Sequence, residues 1–140
     1  MQYALLFFQS PDEFAARSDP KLREAFWASF IPYMNALTEA GIVVAGAGLE
    51  PPEVATSIRL SEGRRQVQDG PFADAKEQLG GFFIIEVDDH ETALEWAARY
   101  PAGPAGGVEV RPVLPPMDRA MIELRAAGHA NGGDSAGLPA

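Results

Sequence analysis

Two short runs of the chain, Tyr3 to Phe8 and Phe82 to Val87, are apolar at almost every position. Runs of this length that are bounded by polar or turn-forming residues are typical of β-strands covered on both faces. Successive side chains of a strand point to opposite faces, so Leu5 would lie on one face of a sheet and Leu6 on the other. Any fold of this chain must therefore cover both faces of its sheet.

Two helices are predicted between the strands. The first runs from an N-cap at Asp19 to a stop at Gly41, and the second from an N-cap at Asp88 to Pro101. Apolar side chains recur in the first helix at spacings of three and four, at Leu22, Phe26, Phe30, Tyr33 and Leu37. This stripe should face the sheet, and Pro32 predicts a kink or a break in the helix.

The remaining strands complete the order of elements. Residues 42–45 and 108–113 are predicted strands, and residues 55–60 and 65–68 form a hairpin around the turn at 61–64. The order strand, helix, strand, hairpin, strand, helix, strand predicts an α+β fold, a ferredoxin-like split βαβ sheet with one extra hairpin. Its two helices can cover one face of the sheet, and the other face needs a different cover.

A second copy of the chain is the simplest cover for that face, which predicts a homodimer. A monomer that folds residues 117–125 over the same face would meet the same need. A length of 140 residues with 46% hydrophobic side chains is enough for one domain. We place the domain at residues 1–116 and expect residues 117–140 to be an extension that is at least partly disordered, because residues 126–140 are mainly small.

Composition excludes several classes of function. The chain has no cysteine, so it can form no disulfide and no thiolate site. Its formal net charge of −9 argues against a nucleic-acid surface, which needs a basic patch. No segment has the length of a membrane span, and the N-terminal apolar run lacks the basic flank of a signal peptide. We expect a soluble, cytoplasmic protein.

Residues 67–82, which we call the signature segment, hold a rigid turn, four ionisable side chains and a Gly-Gly pair. Gly70 can adopt positive φ and Pro71 has a fixed φ, so Asp69 to Phe72 should form one tight turn. We read Gly80 and Gly81 as a hinge before the next strand. A preorganised polar loop on a rigid sheet suits binding or catalysis, so the signature segment is the predicted seat of function.

The signature segment also resembles the motif of the YCII-related family, in its DGPF branch. That motif reads Asp-Gly-Pro-Phe-Ala-Glu-Thr-Lys-Glu-Gln-Leu-Gly-Gly, and this chain has Asp74-Ala75 in place of Glu-Thr. Residues 45–52, 93–99 and 108–113 extend the resemblance from the N-terminus to about Val113. The resemblance implies a ferredoxin-like α+β subunit that pairs into a dimeric α/β barrel, in a family whose activities are mostly unassigned.

Three residues of the signature segment are candidates for catalysis. Asp69 would act as a general acid or base if its apolar neighbour Phe72 raised its pKa, and the competing interpretation is that it hydrogen bonds its own turn. Lys76 would bind a substrate carboxylate or a developing oxyanion, or pair with a nearby acid. Glu77 is a further acid-base candidate that would otherwise be solvated or paired.

Three more residues are candidates for ligand binding. Phe72 would stack on a ligand, or plug an apolar gap in the core. Arg65 would bind an anion, or serve solubility at the hairpin. Arg111 would line a cleft, or pair with Glu109 two residues earlier on the same strand face.

No metal or cofactor is predicted. The two histidines, His90 and His129, lie far apart in the sequence, and no nucleotide-binding or nucleophile-elbow motif is present. Other branches of the YCII-related family are thought to use a histidine of the first helix with an aspartate. No histidine occurs between Met1 and Asp89 here, so that dyad cannot be carried over to this chain.

Two functions from different classes remain, and the sequence does not decide whether the chain is an enzyme. The first is a small cofactor-independent protein that binds or transforms a small anionic or aromatic metabolite in a cleft near Asp69 to Phe72. The second is a regulatory protein that binds an alternative sigma factor, because genes of the DGPF branch often lie beside genes of such factors. The acidic composition is compatible with this second function, which needs no direct contact with DNA.

Overall fold

Most of the chain forms antiparallel strands and helices in the computed structural model, which describes residues 1–73, 75–103, 105–115 and 127–128. The strands are β1 (Gln2–Gln9), β2 (Val43–Gly48), β3 (Thr56–Ser61), β4 (Arg64–Asp69), β5 (Gln78–Glu86) and β6 (Gly107–Pro112). The helices are α1 (Pro11–Ala16), α2 (Arg23–Glu39) and α3 (His90–Ala98), with a short 3₁₀ turn at Pro52–Val54.

Four strands form one sheet in the order β2-β5-β1-β6, and β3 pairs with β4 in a separate hairpin. All these pairings are antiparallel, including the pairing of the first strand, β1, with the last strand, β6. This topology confirms the predicted α+β class and the ferredoxin-like split βαβ sheet with an extra hairpin. The dimeric barrel that the resemblance implies stays a prediction.

The central strand β1 alternates strictly between buried and half-buried residues. Its buried side chains Tyr3, Leu5 and Phe7 face the helices and pack with Tyr33 and Leu37 of α2. The half-buried side chains, Ala4, Leu6 and Phe8 among them, form the opposite face. The core therefore lies between the sheet and its helices, as the periodicity predicts.

The helices differ from the prediction at their starts. Helix α1 was not expected; Ser10 caps it and Glu13 completes a capping box, so the chain turns into a helix directly after β1. Helix α2 begins at Arg23, because the predicted cap Asp19 instead accepts a hydrogen bond from the backbone N–H of Lys21 at 2.7 Å within a preceding turn. The helix then continues through Pro32 without a break.

Two further boundaries move. The cap of α3 is Asp89 rather than Asp88, and its carboxylate accepts from the backbone N–H of Thr92 at 2.8 Å. Gly80 and Gly81 are not a hinge, because they lie inside β5.

The predicted extension at 117–140 lies outside the described residues, apart from 127–128. Within the described ranges, no helix has the length and hydropathy needed to cross a membrane.

The buried phenol of Tyr33 predicts a loss of stability at alkaline pH. Burial raises the pKa of Tyr33 from 10.0 to about 12, and its hydroxyl donates to the backbone carbonyl of Trp96 at 2.9 Å. A raised pKa means that the folded state holds the proton more tightly, so this stabilisation is complete below pH 10 and is lost as the pH rises toward 12. We expect urea unfolding to show a fall of roughly 1–2 kcal/mol over this window from this group.

Tyr33→Phe is the control, because it removes the ionisable group and keeps the ring. Its unfolding free energy should be lower near neutral pH, where the hydrogen bond is missing, and should decline less steeply above pH 10. Equal slopes for the two proteins would show that Tyr33 does not carry the effect.

Candidate functional site

A cavity of about 330 Å³ lies between helix α2 and the sheet. Its volume falls at the lower end of the range for small-molecule sites, about 300–1,000 Å³. Aromatic residues from α2, the inner sheet face and the end of α3 surround it: Phe7, Phe26, Trp27, Phe30, Phe83 and Tyr100. Trp27 and Met34 are 36% and 37% exposed, so this side of the cavity faces solvent.

Glycines of β2 and β5 create the space. A Cβ atom at Gly46 would collide with the ring of Phe83, and one at Gly81 would lie 3.0 Å from the carbonyl oxygen of Ala47 on the neighbouring strand. Gly80 sits beside an irregularity in the β1–β5 pairing, where a Cβ would collide with the side-chain amide of Gln9. Glycine within a strand commonly marks such a close approach. Because these positions carry no side chain, space remains between the sheet and α2.

Arg17, just after α1, supplies the positive charge of the cavity. Its guanidinium donates to the backbone carbonyl of Leu49 at 2.7 Å and to the side-chain oxygen of Gln9 at 3.3 Å. The guanidinium carbon also lies 5.3 Å from the ring centre of Phe14 and 6.0 Å from that of Trp27. Among the described residues, no carboxylate oxygen lies within 4.0 Å of this guanidinium.

Gln9 and Tyr100 continue the polar side of the cavity. The Gln9 amide is buried and donates to the Tyr100 hydroxyl at 3.2 Å, which leaves the phenol proton of Tyr100 available to another acceptor. Burial raises the pKa of Tyr100, and the Glu13 carboxylate adds to the rise, while the Gln9 hydrogen bond and the Arg17 charge oppose it. The phenol therefore stays protonated at neutral pH and can act as a donor.

A protein-family model for the YCII-related domain matches residues 1–117 of the chain. The chain belongs to the YCII-related domain family. It is also similar to an uncharacterized protein of Rhizobium meliloti (strain 1021), with 43% identity over 77 residues. Those residues are 54% of this chain and 62% of that relative, so the match spans less than two thirds of the relative's length. Membership of the DGPF branch stays a prediction.

In this YCII-related domain, the catalytic candidates of the signature segment lie away from the cavity lining. Asp69 ends β4 and is exposed, and Lys76 and Glu77 are exposed on the segment before β5. Gly70 has the expected positive φ of 93°, and its N–H donates to the carbonyl of Ala55 at 2.7 Å. No hydrogen bond joins the Asp69 carboxylate to another described residue. The main chain of the turn is held instead by Ala55 and by the Ser57 hydroxyl, which donates to the Gly70 carbonyl at 2.6 Å. The acid-base roles of Asp69, Lys76 and Glu77 stay predictions.

The ligand-binding candidates are also dispersed. Phe72 is 54% exposed, with the Arg59 guanidinium 4.4 Å from its ring centre, so it does not plug the core of the described domain. Arg65 is exposed on the hairpin, opposite Leu60. Their ligand roles stay predictions, and the structure does not bring the two side chains into the aromatic cavity.

Arg111 pairs with Glu109, which confirms the salt-bridge interpretation. Its guanidinium nitrogen lies 2.6 Å from a Glu109 carboxylate oxygen, and both side chains are exposed. Their partners on β1 are Ala4 and Leu6, so the pair lies on the half-buried sheet face, away from the cavity. Arg111 therefore has Glu109 as its partner on this sheet face, and its predicted role in ligand binding stays a prediction.

The sequence analysis assigned no site role to the main residues of the cavity, and it named Phe30 as part of a core-facing stripe alone. These residues are Gln9, Arg17, Trp27, Phe30 and Tyr100. One signal was available, because Gln9 occupies an inward position of a strand whose other inward residues are apolar. A second was the number of glycines in two adjacent strands. Among the described residues, no group of three or more potential metal ligands comes together. The expectation of a cofactor-free protein stays a prediction.

Proposed function

We propose that this YCII-related domain binds a small aromatic anion in the cavity between α2 and the sheet. The observation that carries the proposal is the guanidinium of Arg17 beside an aromatic cavity, with no carboxylate partner among the described residues. A cavity rich in aromatic residues favours a planar apolar body, and a lone guanidinium favours an acidic group.

The polar side chains of the cavity indicate which kind of acidic group the ligand carries. A planar guanidinium matches the geometry of a carboxylate with two parallel hydrogen bonds. Two of its contacts, to Leu49 and Gln9, hold the Arg17 side chain in place, so less conformational freedom is lost when a ligand binds. The Tyr100 phenol can donate to a second oxygen of the same ligand. An aromatic carboxylate with a further oxygen substituent fits this set of donors.

The proposal keeps the ligand class that the sequence predicts and changes its location. The predicted cleft lay near the Asp69 to Phe72 turn, where a second cavity of about 310 Å³ borders Pro71 and Gln78. We place the ligand in the cavity under α2 instead, because that lining includes the Arg17 guanidinium. The described lining residues with ionisable side chains are Arg17 and Tyr100, and we assign neither of them a catalytic step. Binding is the activity that their arrangement supports.

Isothermal titration calorimetry with benzoate and with salicylate tests the proposal. We expect saturable binding of both anions, and weaker binding of benzyl alcohol, which lacks the charge. Arg17→Gln should weaken the binding of the anions by about 10- to 100-fold, because a hydrogen bond to a charged group is worth about 1.5–3 kcal/mol. Arg23→Gln is the matched control: Arg23 is exposed at the start of α2, is not among the cavity lining, and its replacement should leave affinity unchanged.

Tryptophan fluorescence locates the bound anion. The chain has two tryptophans, and Trp27 lines the cavity while Trp96 lies on α3 beneath the Arg99 guanidinium. In a Trp96→Phe background, the remaining Trp27 signal should change on titration with the same midpoint as calorimetry. Binding that leaves Trp27 unchanged, or that Arg17→Gln and Arg23→Gln weaken equally, would contradict the proposed site.

The second function predicted from the sequence, regulation through an alternative sigma factor, stays a prediction. The cavity gives small-molecule binding a specific supporting observation. The exposed aliphatic residues Ile58, Leu60 and Val67 of the β3–β4 hairpin would serve any protein partner, so they do not favour a sigma factor in particular. The cytoplasmic location is likewise our proposal, and the chain, which has no cysteine, forms no disulfide that would require an oxidising compartment.

A further inference from the structure

The β3–β4 hairpin, residues 56–69, is a separate structural element that we call the arm. Its two strands pair from Thr56 with Asp69 to Ser61 with Arg64, and the turn residues Glu62 and Gly63 both have positive φ. Among the described residues, the arm forms hydrogen bonds only with partners within residues 55–71. An example is the bond that the Ser57 hydroxyl donates to the Gly70 carbonyl. The arm is thus attached to the rest of the domain at its base.

The two faces of the arm differ in chemistry. Ile58 lies directly opposite Val67, and Leu60 follows Ile58 on the same face, with Arg65 opposite it. The Thr56–Asp69 pair ends this face at the base of the arm. These three aliphatic side chains are 54%, 66% and 61% exposed. The other face carries polar residues, with Arg59 opposite Gln66. The arm is therefore amphipathic, and its apolar face has no cover from the described residues.

An isolated two-stranded hairpin is at best marginally stable in water, and its register is weakly specified unless one face is buried. Three large aliphatic residues on one face of a projecting hairpin also form the kind of exposed patch that marks an interaction site. A cover for this face would remove both problems. The alternation of the sequence therefore indicates that the apolar face is buried in the working form of the protein.

A second copy of the chain has the surfaces to bury it. The sheet face opposite the helices is apolar and half-buried at Leu6, Phe82 and Ile84, so each chain carries a second surface that needs cover. Charge points the same way, because the arm holds three arginines against two carboxylates in a chain whose net charge is −9. The local charge of the arm is thus opposite in sign to that of the remaining residues, which favours contact between the arm and those residues of a second copy.

We propose that the arm packs its apolar face, Ile58, Leu60 and Val67, against a second copy of this chain. In a two-fold arrangement each arm contacts the partner while the partner's arm makes the same contact in return, so the interface is self-complementary. The arm adds to any contact between the two sheet faces, and it gives the chain's extra hairpin a structural purpose.

Sedimentation velocity over a range of concentrations tests the arm directly. We expect the wild-type chain to be a dimer, and Ile58→Ser combined with Val67→Ser to weaken its association at least tenfold. Gln66→Ser on the polar face is the matched control and should leave association unchanged. A chain that is monomeric at all concentrations, or a dimer that both sets of substitutions affect equally, would overturn the proposal.

Hydrogen exchange distinguishes a second copy from the C-terminal residues 117–125 as the cover. We expect the amides of the arm to be protected at high concentration and to lose protection on dilution, in step with dimer dissociation. Ile122→Ser in the full chain should leave that protection in place. Protection that is independent of concentration and that Ile122→Ser abolishes would assign the cover to the chain's own C-terminal segment and overturn the proposal.

Discussion

Replacing Gly46 by alanine should lower the free energy of unfolding by about 1–3 kcal/mol and abolish binding in the aromatic cavity. The added methyl group would collide with the Phe83 ring and would lie 3.0 Å from the backbone carbonyl oxygen of Phe82. The ring has little freedom to move, because it packs edge-on against Phe7 with the ring centres 5.6 Å apart. Urea unfolding gives the loss of stability, and calorimetry with benzoate gives the loss of binding.

Gly48→Ala is the matched control, since it makes the same chemical change on the same strand. The nearest atom to a Cβ there is a guanidinium nitrogen of Arg17 at 3.8 Å, an ordinary van der Waals distance. The alanine should leave stability unchanged or raise it slightly, because it restricts the unfolded chain. If Gly46→Ala is as stable as Gly48→Ala, the glycines do not shape this cavity in the way that we describe.

The fold could be predicted because its signals are local and repeated. The alternation in β1 and the spacing of Phe30, Tyr33 and Leu37 each depend on residues that are near one another in sequence. Element boundaries were less secure. Asp88 and Asp89 are equivalent candidates for the N-cap of α3. The hydrogen bond from the Thr92 N–H that selects Asp89 depends on the folded backbone, so the sequence does not distinguish the two residues.

The candidate site could not be predicted in the same way, because its parts come from separate segments. Arg17 follows the unpredicted helix α1, Gln9 ends β1, and Tyr100 follows α3. No spacing in the sequence relates these three residues, and the sheet topology brings them to one end of the cavity. Phe26 and Phe30 do belong to the predicted stripe of the first helix, but periodicity identifies a face that is buried without showing that a cavity lies beneath it.

The signature segment shows the opposite case, a conspicuous sequence whose side chains are exposed. Asp69 and Phe72 border a tight turn, and the main-chain groups of Gly70 hold this turn through hydrogen bonds with the Ala55 carbonyl and the Ser57 hydroxyl. The Gly80-Gly81 pair, which we read as a hinge, contributes to the cavity as part of β5. The segment thus acts on the candidate site through its glycines rather than through its ionisable residues.

Leu5→Ala should be among the most destabilising single substitutions in the domain, with a loss of about 2–5 kcal/mol. Leu5 is fully buried on the central strand, with Phe83 on one neighbouring strand and Val110 on the other. Truncation would leave a void that these neighbours can fill only in part, because both sit on paired strands. Urea unfolding monitored by circular dichroism measures the loss, and an effect below about 1 kcal/mol would contradict this account of the core.

Leu6→Ala is the informative partner to that experiment, since it makes the same truncation one residue along the same strand. Leu6 is half-buried on the opposite face, so the loss in an isolated chain should be clearly smaller than for Leu5→Ala. If a second copy covers this face, the deficit of Leu6→Ala relative to wild type should increase with protein concentration, while the deficit of Leu5→Ala should not. A concentration-independent deficit at Leu6 would instead mean that this sheet face meets solvent or its own chain.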